Sequence, residues 1–238
     1  MVKKQSIVRV CVVIPAFNES KVIRSVILDI KKAFKATKYK VQIVVVNDAS
    51  CDDTSKIAKK SGAMVIDHIL NTGAGGATAT GLSYAQQGNF DIACTMDADG
   101  QHSSKDVVEG VKQLLSRKVD MLIGSRLINK KGMSTVKVLG NKGLSLITFI
   151  LFGINSTDSQ SGLRIFSSQA IKSLRWKTSG YEFCSEMLWR AKQLHLNIGE
   201  YPIKAIYTEY SKSKGQNNWN AINIVKSLLK QRIAELLG

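Results

Sequence analysis

Cysteine is scarce in this 238-residue chain, and its four copies, Cys11, Cys51, Cys94 and Cys184, lie far apart with no C-x-x-C pair. That spacing argues against a zinc site or a disulfide framework and makes them reduced thiols in or near a core. Long apolar runs are missing as well. The longest, Leu144–Ile154, has 11 residues and is interrupted by Ser145, Thr148 and Gly153, whereas a bilayer helix needs about 20. No transmembrane segment is expected. The first residues pass from Lys3 and Lys4 directly into Ile7 and Val8, without the apolar stretch and small-residue cleavage site of a secretory leader, so the chain reads as cytoplasmic. Acidic residues are the third shortage, 18 against 34 Lys and Arg, for a net charge of +16. Basic residues with interleaved aromatics, or a recognisable reading helix, are lacking too, which disfavours nucleic acid as the partner of that charge.

What is present is a globular composition, 44% hydrophobic and 22% charged, with a length that buries one sizeable core. The charge is uneven: Met1–Lys40 holds ten Lys or Arg against Glu19 and Asp29, and Met121–Thr157 carries Arg126, Lys130, Lys131, Lys137 and Lys142 with no acid. The second stretch contains the longest apolar run, and that combination suits an anionic lipid surface; a plain solvated basic face is the alternative. Continuous apolar runs at Arg9–Ile14, Val41–Asn47, Ala63–Asp67, Asp91–Met96 and Val119–Ser125 read as strands covered on both faces. Helical spacing fills the gaps at Glu19–Ala36, Asp52–Lys60, Ala74–Gln87 and Ser103–Leu115. The order predicts an α/β fold with a mainly parallel doubly wound sheet, helices on both faces, and a ligand at the carboxyl ends of the strands. The rest reads as a helix within Val138–Phe152, a strand near Gly162–Ser167, a helix Glu182–Leu196, a strand Glu200–Tyr207 and an amphipathic helix from about Asn220 to Leu237. One domain is expected over 1–238, with a first half at 9–125, a second half at 126–215 and the terminal helix at 216–238.

Each strand end carries a motif. Val13-Ile-Pro-Ala-Phe-Asn-Glu19 places a strand-stopping Pro15 before a helix. Val45-Val-Asn-Asp-Ala-Ser-Cys-Asp-Asp-Thr54 ends a buried strand on Asp48, where capping explains the later acids but not Asp48 itself. Asn71-Thr-Gly-Ala-Gly-Gly-Ala77 is glycine-rich, yet Thr78 stands where a dinucleotide fingerprint needs its third glycine. Met96-Asp-Ala-Asp-Gly-Gln-His102 sets Asp97, Asp99 and Gln101 in one turn, a sparse oxygen set suited to a divalent cation carrying a diphosphate.

These motifs, with Gly124-Ser-Arg126, Asp158–Phe166 (DSQSGLRIF), Gly180–Leu188 and Glu200–Ile203 in the same order, resemble glycosyltransferase family 2 enzymes of GT-A fold. More narrowly, they resemble polyprenol-phosphate (dolichol-phosphate) mannosyl- and glucosyltransferases. The resemblance implies an inverting transfer from a nucleoside-diphosphate sugar by direct displacement. It implies that Pro15, Phe17 and Glu19 line the nucleotide site, that Val46 and Asp48 hold the base, and that Asp97, Ala98, Asp99 and Gln101 hold diphosphate and Mg²⁺ or Mn²⁺. Arg126 would sit near sugar or phosphate, and Lys214 over the diphosphate. Ala74, Ser103-Ser104 and Thr208 depart from the family pattern.

The acceptor is open between two chemistries. A polyprenyl phosphate brings an oxygen that is already anionic, with Arg164 as its holder; a sugar hydroxyl needs a base, for which Asp158 is the first candidate and Glu186 the second. With a lipid acceptor, the Arg126–Phe152 segment would dock peripherally on the inner face of the membrane. The last helix would assist, with Ile222, Val225, Leu229, Ile233 and Leu236 in one stripe opposite Lys226 and Lys230. Core closure by both helices is the competing expectation. A non-catalytic nucleotide-sugar-binding protein is a further one, against which the intact D-A-D-G-Q speaks.

Overall fold

The computed structural model describes residues 7–129, 133–207 and 218–237, with side chains of the last helix described at 223–230, 232 and 233. The first strand, β1 (Arg9–Ala16), alternates Cys11 and Val13 toward one core with Val10, Val12 and Ile14 toward another, as a strand covered on both faces must. It is followed by α1 (Ile23–Lys35), β2 (Lys40–Asn47), α2 (Thr54–Lys60), β3 (Met64–Asp67), α3 (Gly73–Gln87), β4 (Ile92–Thr95), α4 (Ser104–Arg117) and β5 (Met121–Ser125). Helix α1 begins after the expected Glu19, because Asn18 adopts a positive φ of 55° and residues 20–22 form a turn. Its buried residues Ile23, Val26, Ile27, Ile30 and Phe34 keep helical spacing and join the core of Val10, Val12 and Ile14.

The second part adds α5 (Thr135–Phe152), β6 (Arg164–Ser167), α6 (Ser168–Ser173), α7 (Phe183–Gln193), β7 (Ile198–Pro202) and α8 (Asn218–Leu237). The sheet order is β3-β2-β1-β4-β6-β5-β7. All pairs are parallel except those of β6, which runs antiparallel to both β4 and β5. Strand β7 ends at Pro202, which pairs with Ser125 where its partner β5 ends, rather than reaching the expected Tyr207. The short α6 answers no expectation from the sequence.

Small residues let α3 sit close on β1: a Cβ at Gly81 would overlap Val13, lying 3.1 Å from its Cβ. Of the four thiols, Cys11, Cys94 and Cys184 are buried and Cys51 is exposed on the loop before α2; all are free. Helix α5 is long and apolar enough to cross a membrane by length and composition alone, because it starts nine residues before the apolar run from Leu144. One edge of it, Leu144, Ser145, Thr148 and Phe152, packs inward, while Val136, Leu139, Leu146, Phe149 and Ile150 are exposed. Helix α8 contacts α5 and buries Ile224 and Leu228, leaving Leu229 and Ile233 exposed. The packed face is therefore centred one residue away from the expected stripe, of which Val225 still packs partly buried against the core and Ile222 and Leu236 lie outside the described side chains.

Candidate active site

The carboxyl ends of β1, β4 and β5 and the start of the antiparallel β6 meet at one rim, where Ile123 and Thr95 both pair with Arg164. The hydroxyl of Thr95 donates to the Gly162 carbonyl at 2.9 Å, tying β4 to the loop before β6. Above this rim lies a cavity of about 740 Å³, within the range of small-molecule sites. Pro15, Phe17 and Glu19 form one side of it, with Phe17 46% exposed. That side is stitched to the loop after β2: Asn18 N–H donates to Ser50 Oγ at 2.9 Å, and Glu19 N–H to Thr54 Oγ1 at 2.8 Å. Val46 does not line the cavity. Fully buried, it points into the core with Val44 and Ala77, so its side chain has no access to a base.

Asp48 does line the cavity, and its carboxylate already accepts from four protein donors. Thr72 N–H, Thr72 Oγ1–H and His68 Nδ1 meet Oδ1 at 2.8, 2.9 and 2.8 Å, and Gly73 N–H meets Oδ2 at 2.8 Å. Burial raises this carboxyl, but those hydrogen bonds outweigh it and hold Asp48 below its ordinary value. Of the two oxygens, Oδ2 carries the fewer of these bonds. The start of α3 is tied in turn to the 176–179 segment. Gly75 N–H donates to Ser179 O at 2.7 Å, and Trp176 Nε1–H to Gly75 O at 3.1 Å. Glu186 in turn accepts from the N–H groups of Lys177 and Thr178, at 3.1 and 2.8 Å. Gly73 and Gly75 are required here, since a Cβ on either would collide with the carbonyls of Thr178 or Ser179.

At the end of β4, Asp97, Ala98, Asp99 and Gln101 face the cavity. Gln101 folds back on Asp99, its N–H and Nε2–H donating at 2.9 and 2.7 Å. Enclosure and the charge of Asp97 push the Asp99 carboxyl up to about 6, with Glu19 adding and Gln101 and His102 opposing. Enclosure also raises Asp97, but the His102 hydrogen bond and the charges of His102, Arg126 and Arg164 outweigh it, so Asp97 lies below its ordinary value. Two neighbouring carboxylates pushed apart in this way, with an amide oxygen beside them, fit a hard divalent cation that keeps part of its shell for waters and a diphosphate. Among the described residues no cluster of three His, Cys, Asp or Glu side chains offers a closed protein cage. When bound, such a cation would neutralise charge developing on a departing diphosphate.

Asp158 is placed differently from the base expected of it. It is fully buried and grips Arg126, with Nε to Oδ2 at 2.7 Å, Nη2 to Oδ1 at 2.8 Å and the Arg126 backbone N–H to Oδ2 at 3.0 Å. A carboxylate committed to three donors and sealed from the cavity takes no proton from an acceptor. Its work is to aim Arg126, whose remaining edge lines the cavity. Glu186 is likewise fully buried and bound to the 177–178 loop and Arg190. Arg164 is 1% exposed and turns Nε to Ser161 O, Nη2 to Ser159 O and Nη1 to Met187 Sδ. It touches the floor of the cavity but is not presented as a free fork for a phosphate. Lys214 lies outside the described residues.

Three residues that the sequence did not assign to the site also line the cavity: Lys137, Tyr181 and Tyr207. The Lys137 ammonium stands 4.2 Å over the Tyr207 ring, and α5 lines the wall with Val136, Lys137, Gly140, Asn141 and Leu144. The signal for Lys137 was its place in the acid-free stretch, which charge counting reads only as a surface.

Residues 11–175 match the family described as Glycosyl transferase family 2. An uncharacterized protein of Methanocaldococcus jannaschii is 48% identical over 227 residues, covering 93% of this chain and 91% of that protein. A UDP-N-acetylglucosamine--dolichyl-phosphate N-acetylglucosaminyltransferase of Methanococcus voltae is 40% identical, over 94% of this chain and 96% of that protein. Among solved structures, glucosyl-3-phosphoglycerate synthase of Mycobacterium tuberculosis in complex with Mn²⁺ and UDP-glucose superposes with a TM-score of 0.71 at 20% identity, covering 94% of this chain and 78% of that one. A rim of motifs at the strand ends, a family match over most of the chain and a shared GT-A architecture lead to one conclusion: the chain belongs to glycosyl transferase family 2 and is a glycosyltransferase.

Proposed function

We propose that this enzyme moves a hexose from a nucleoside-diphosphate sugar to a polyprenyl phosphate at the cytoplasmic face of a membrane, with Mg²⁺ or Mn²⁺ held by Asp97, Asp99 and Gln101. The observation that carries this reading is the double duty of α5, which walls the cavity with Lys137 and Asn141 while leaving Leu139, Leu146, Phe149 and Ile150 exposed. An acceptor phosphate entering along that helix meets Lys137 at the wall while its apolar tail has exposed side chains to follow. Both carboxylates suggested as a base for a sugar hydroxyl, Asp158 and Glu186, are fully buried in other bonds. A phosphate acceptor needs neither. Asp158 orients Arg126, and Arg126 and Lys137 bring positive charge to the reacting phosphates. The Methanococcus voltae relative, named for UDP-N-acetylglucosamine and dolichyl phosphate, makes that donor the first to try.

The test offers UDP-N-acetylglucosamine, UDP-glucose and GDP-mannose with Mn²⁺ or Mg²⁺ and a short polyprenyl phosphate, following glycolipid formation. Metal-dependent glycolipid from one donor is the expected result. Donor hydrolysis with transfer only to a glycan hydroxyl would overturn the lipid-phosphate reading. Flotation with anionic vesicles tests the membrane face: Phe149→Glu with Ile150→Glu should abolish a salt-sensitive association and leave the fold intact. Failure of the wild type to float at low salt would refute it.

A further inference from the structure

His102 is a histidine buried where an apolar side chain would be the cheaper choice. Its side chain is 1% exposed; Nε2 lies 3.0 Å from Asp97 Oδ2, and Nδ1 is buried with no partner among the described residues. An ionised carboxylate only accepts, so the proton of this bond resides on Nε2. A buried ring nitrogen left unpaired is a standing cost, and the one polar contact offsetting it is the bond to Asp97. The same carboxylate also lies against Gly162. A Cβ at Gly162 would sit 2.5 Å from Asp97 Oδ2 and closer still to Oδ1. The backbone there does not demand glycine, since Gly162 is absent from the positive-φ residues. Space for Asp97 does.

We propose that His102 and Gly162 together clamp Asp97 and act as positioning residues that fix its carboxylate for the divalent cation, an inference that rests on the cation site assigned above. Gly162 is held in turn, because its carbonyl accepts the Thr95 hydroxyl. The clamp thus joins the end of β4 to the loop before β6. Its two halves are 60 residues apart in sequence, and neither lies on α5. A methyl at Gly162 meets the far end of a movable side chain rather than backbone, so the carboxylate shifts and the fold does not.

The experiment titrates MnCl₂ into wild type, Asp99→Ala, Gly162→Ala, His102→Ala and His102→Gln, with and without UDP, reading free Mn²⁺ by electron paramagnetic resonance and stability by thermal melting. Gly162→Ala and His102→Ala should each weaken Mn²⁺ binding by about 10- to 100-fold, the range for partners that orient metal ligands, while Gly162→Ala melts close to wild type. His102→Gln, which keeps an N–H donor of similar reach, should recover most of the affinity. If Asp99→Ala loses Mn²⁺ while Gly162→Ala and His102→Ala keep wild-type affinity, the clamp is refuted and the cation site stands. If wild type takes up no Mn²⁺ even with UDP, the cation site falls and the clamp with it. Should His102→Ala melt early, the Gly162→Ala affinity decides.

Discussion

Replacing Asp158 with Asn separates a structural carboxylate from a catalytic one. The side chain is fully buried, Arg126 is 13% exposed, and three hydrogen bonds join them. Asn keeps the volume and one acceptor but loses the charge and the second acceptor of the fork. Removing one partner of a buried pair leaves the other uncompensated, at about 3–5 kcal/mol. For a chain of this size each kcal/mol moves the melting temperature by roughly 2–4 °C, so Asp158→Asn should melt roughly 6–20 °C lower. Calorimetry or circular dichroism on purified protein measures this, and donor turnover below the new melting point measures the rest. A general base would behave in the opposite way: melting unchanged and turnover lost by orders of magnitude. Melting within about 2 °C of wild type together with a lost chemical step would refute the reasoning.

Asp99 couples stability to pH. Its folded carboxyl titrates near about 6 against 3.8 for an ordinary one, so between those values the unfolded chain binds fewer protons and stability falls as pH rises through the window. Asp99→Asn should therefore melt above wild type at pH 7.5 without added metal, and the gap should close below pH of about 4. Equal melting at pH 7.5 would count against the carboxylate pair. Gly81→Ala should cost about 1–3 kcal/mol, because a methyl driven into Val13 overpacks the contact of α3 with β1; urea unfolding with an unchanged midpoint would contradict that packing.

Much of this was legible in the residues. Short apolar runs such as Val41–Asn47, rich in β-branched residues, read as buried strands, and the parallel order put Asp48 and Asp97 at one rim. The direction of β6 was not legible, since Arg164–Ser167 has the same apolar pattern whichever way it runs. Nor was the bond between Arg126 and Asp158, 32 residues apart: both types suit phosphate chemistry, and composition cannot say which of them is spent on the other. In α8 two adjoining apolar stripes compete, and contact with α5 selects Ile224 and Leu228. The four donors on Asp48 come mostly from backbone and hydroxyl groups of the 68–73 loop, which a motif of side-chain types does not record.

The line from Asp48 through Thr72 and Gly73, then Gly75 and Ser179, to Thr178 and Glu186 works as a drawstring that joins the end of β2, the start of α3 and the loop before α7. Its links are N–H donors meeting carboxylate or carbonyl oxygens, so it stretches little. The central link, Gly75 to Ser179, is main chain on both sides, so the start of α3 and the 176–179 loop are tied to each other independently of the side chains that line the cavity.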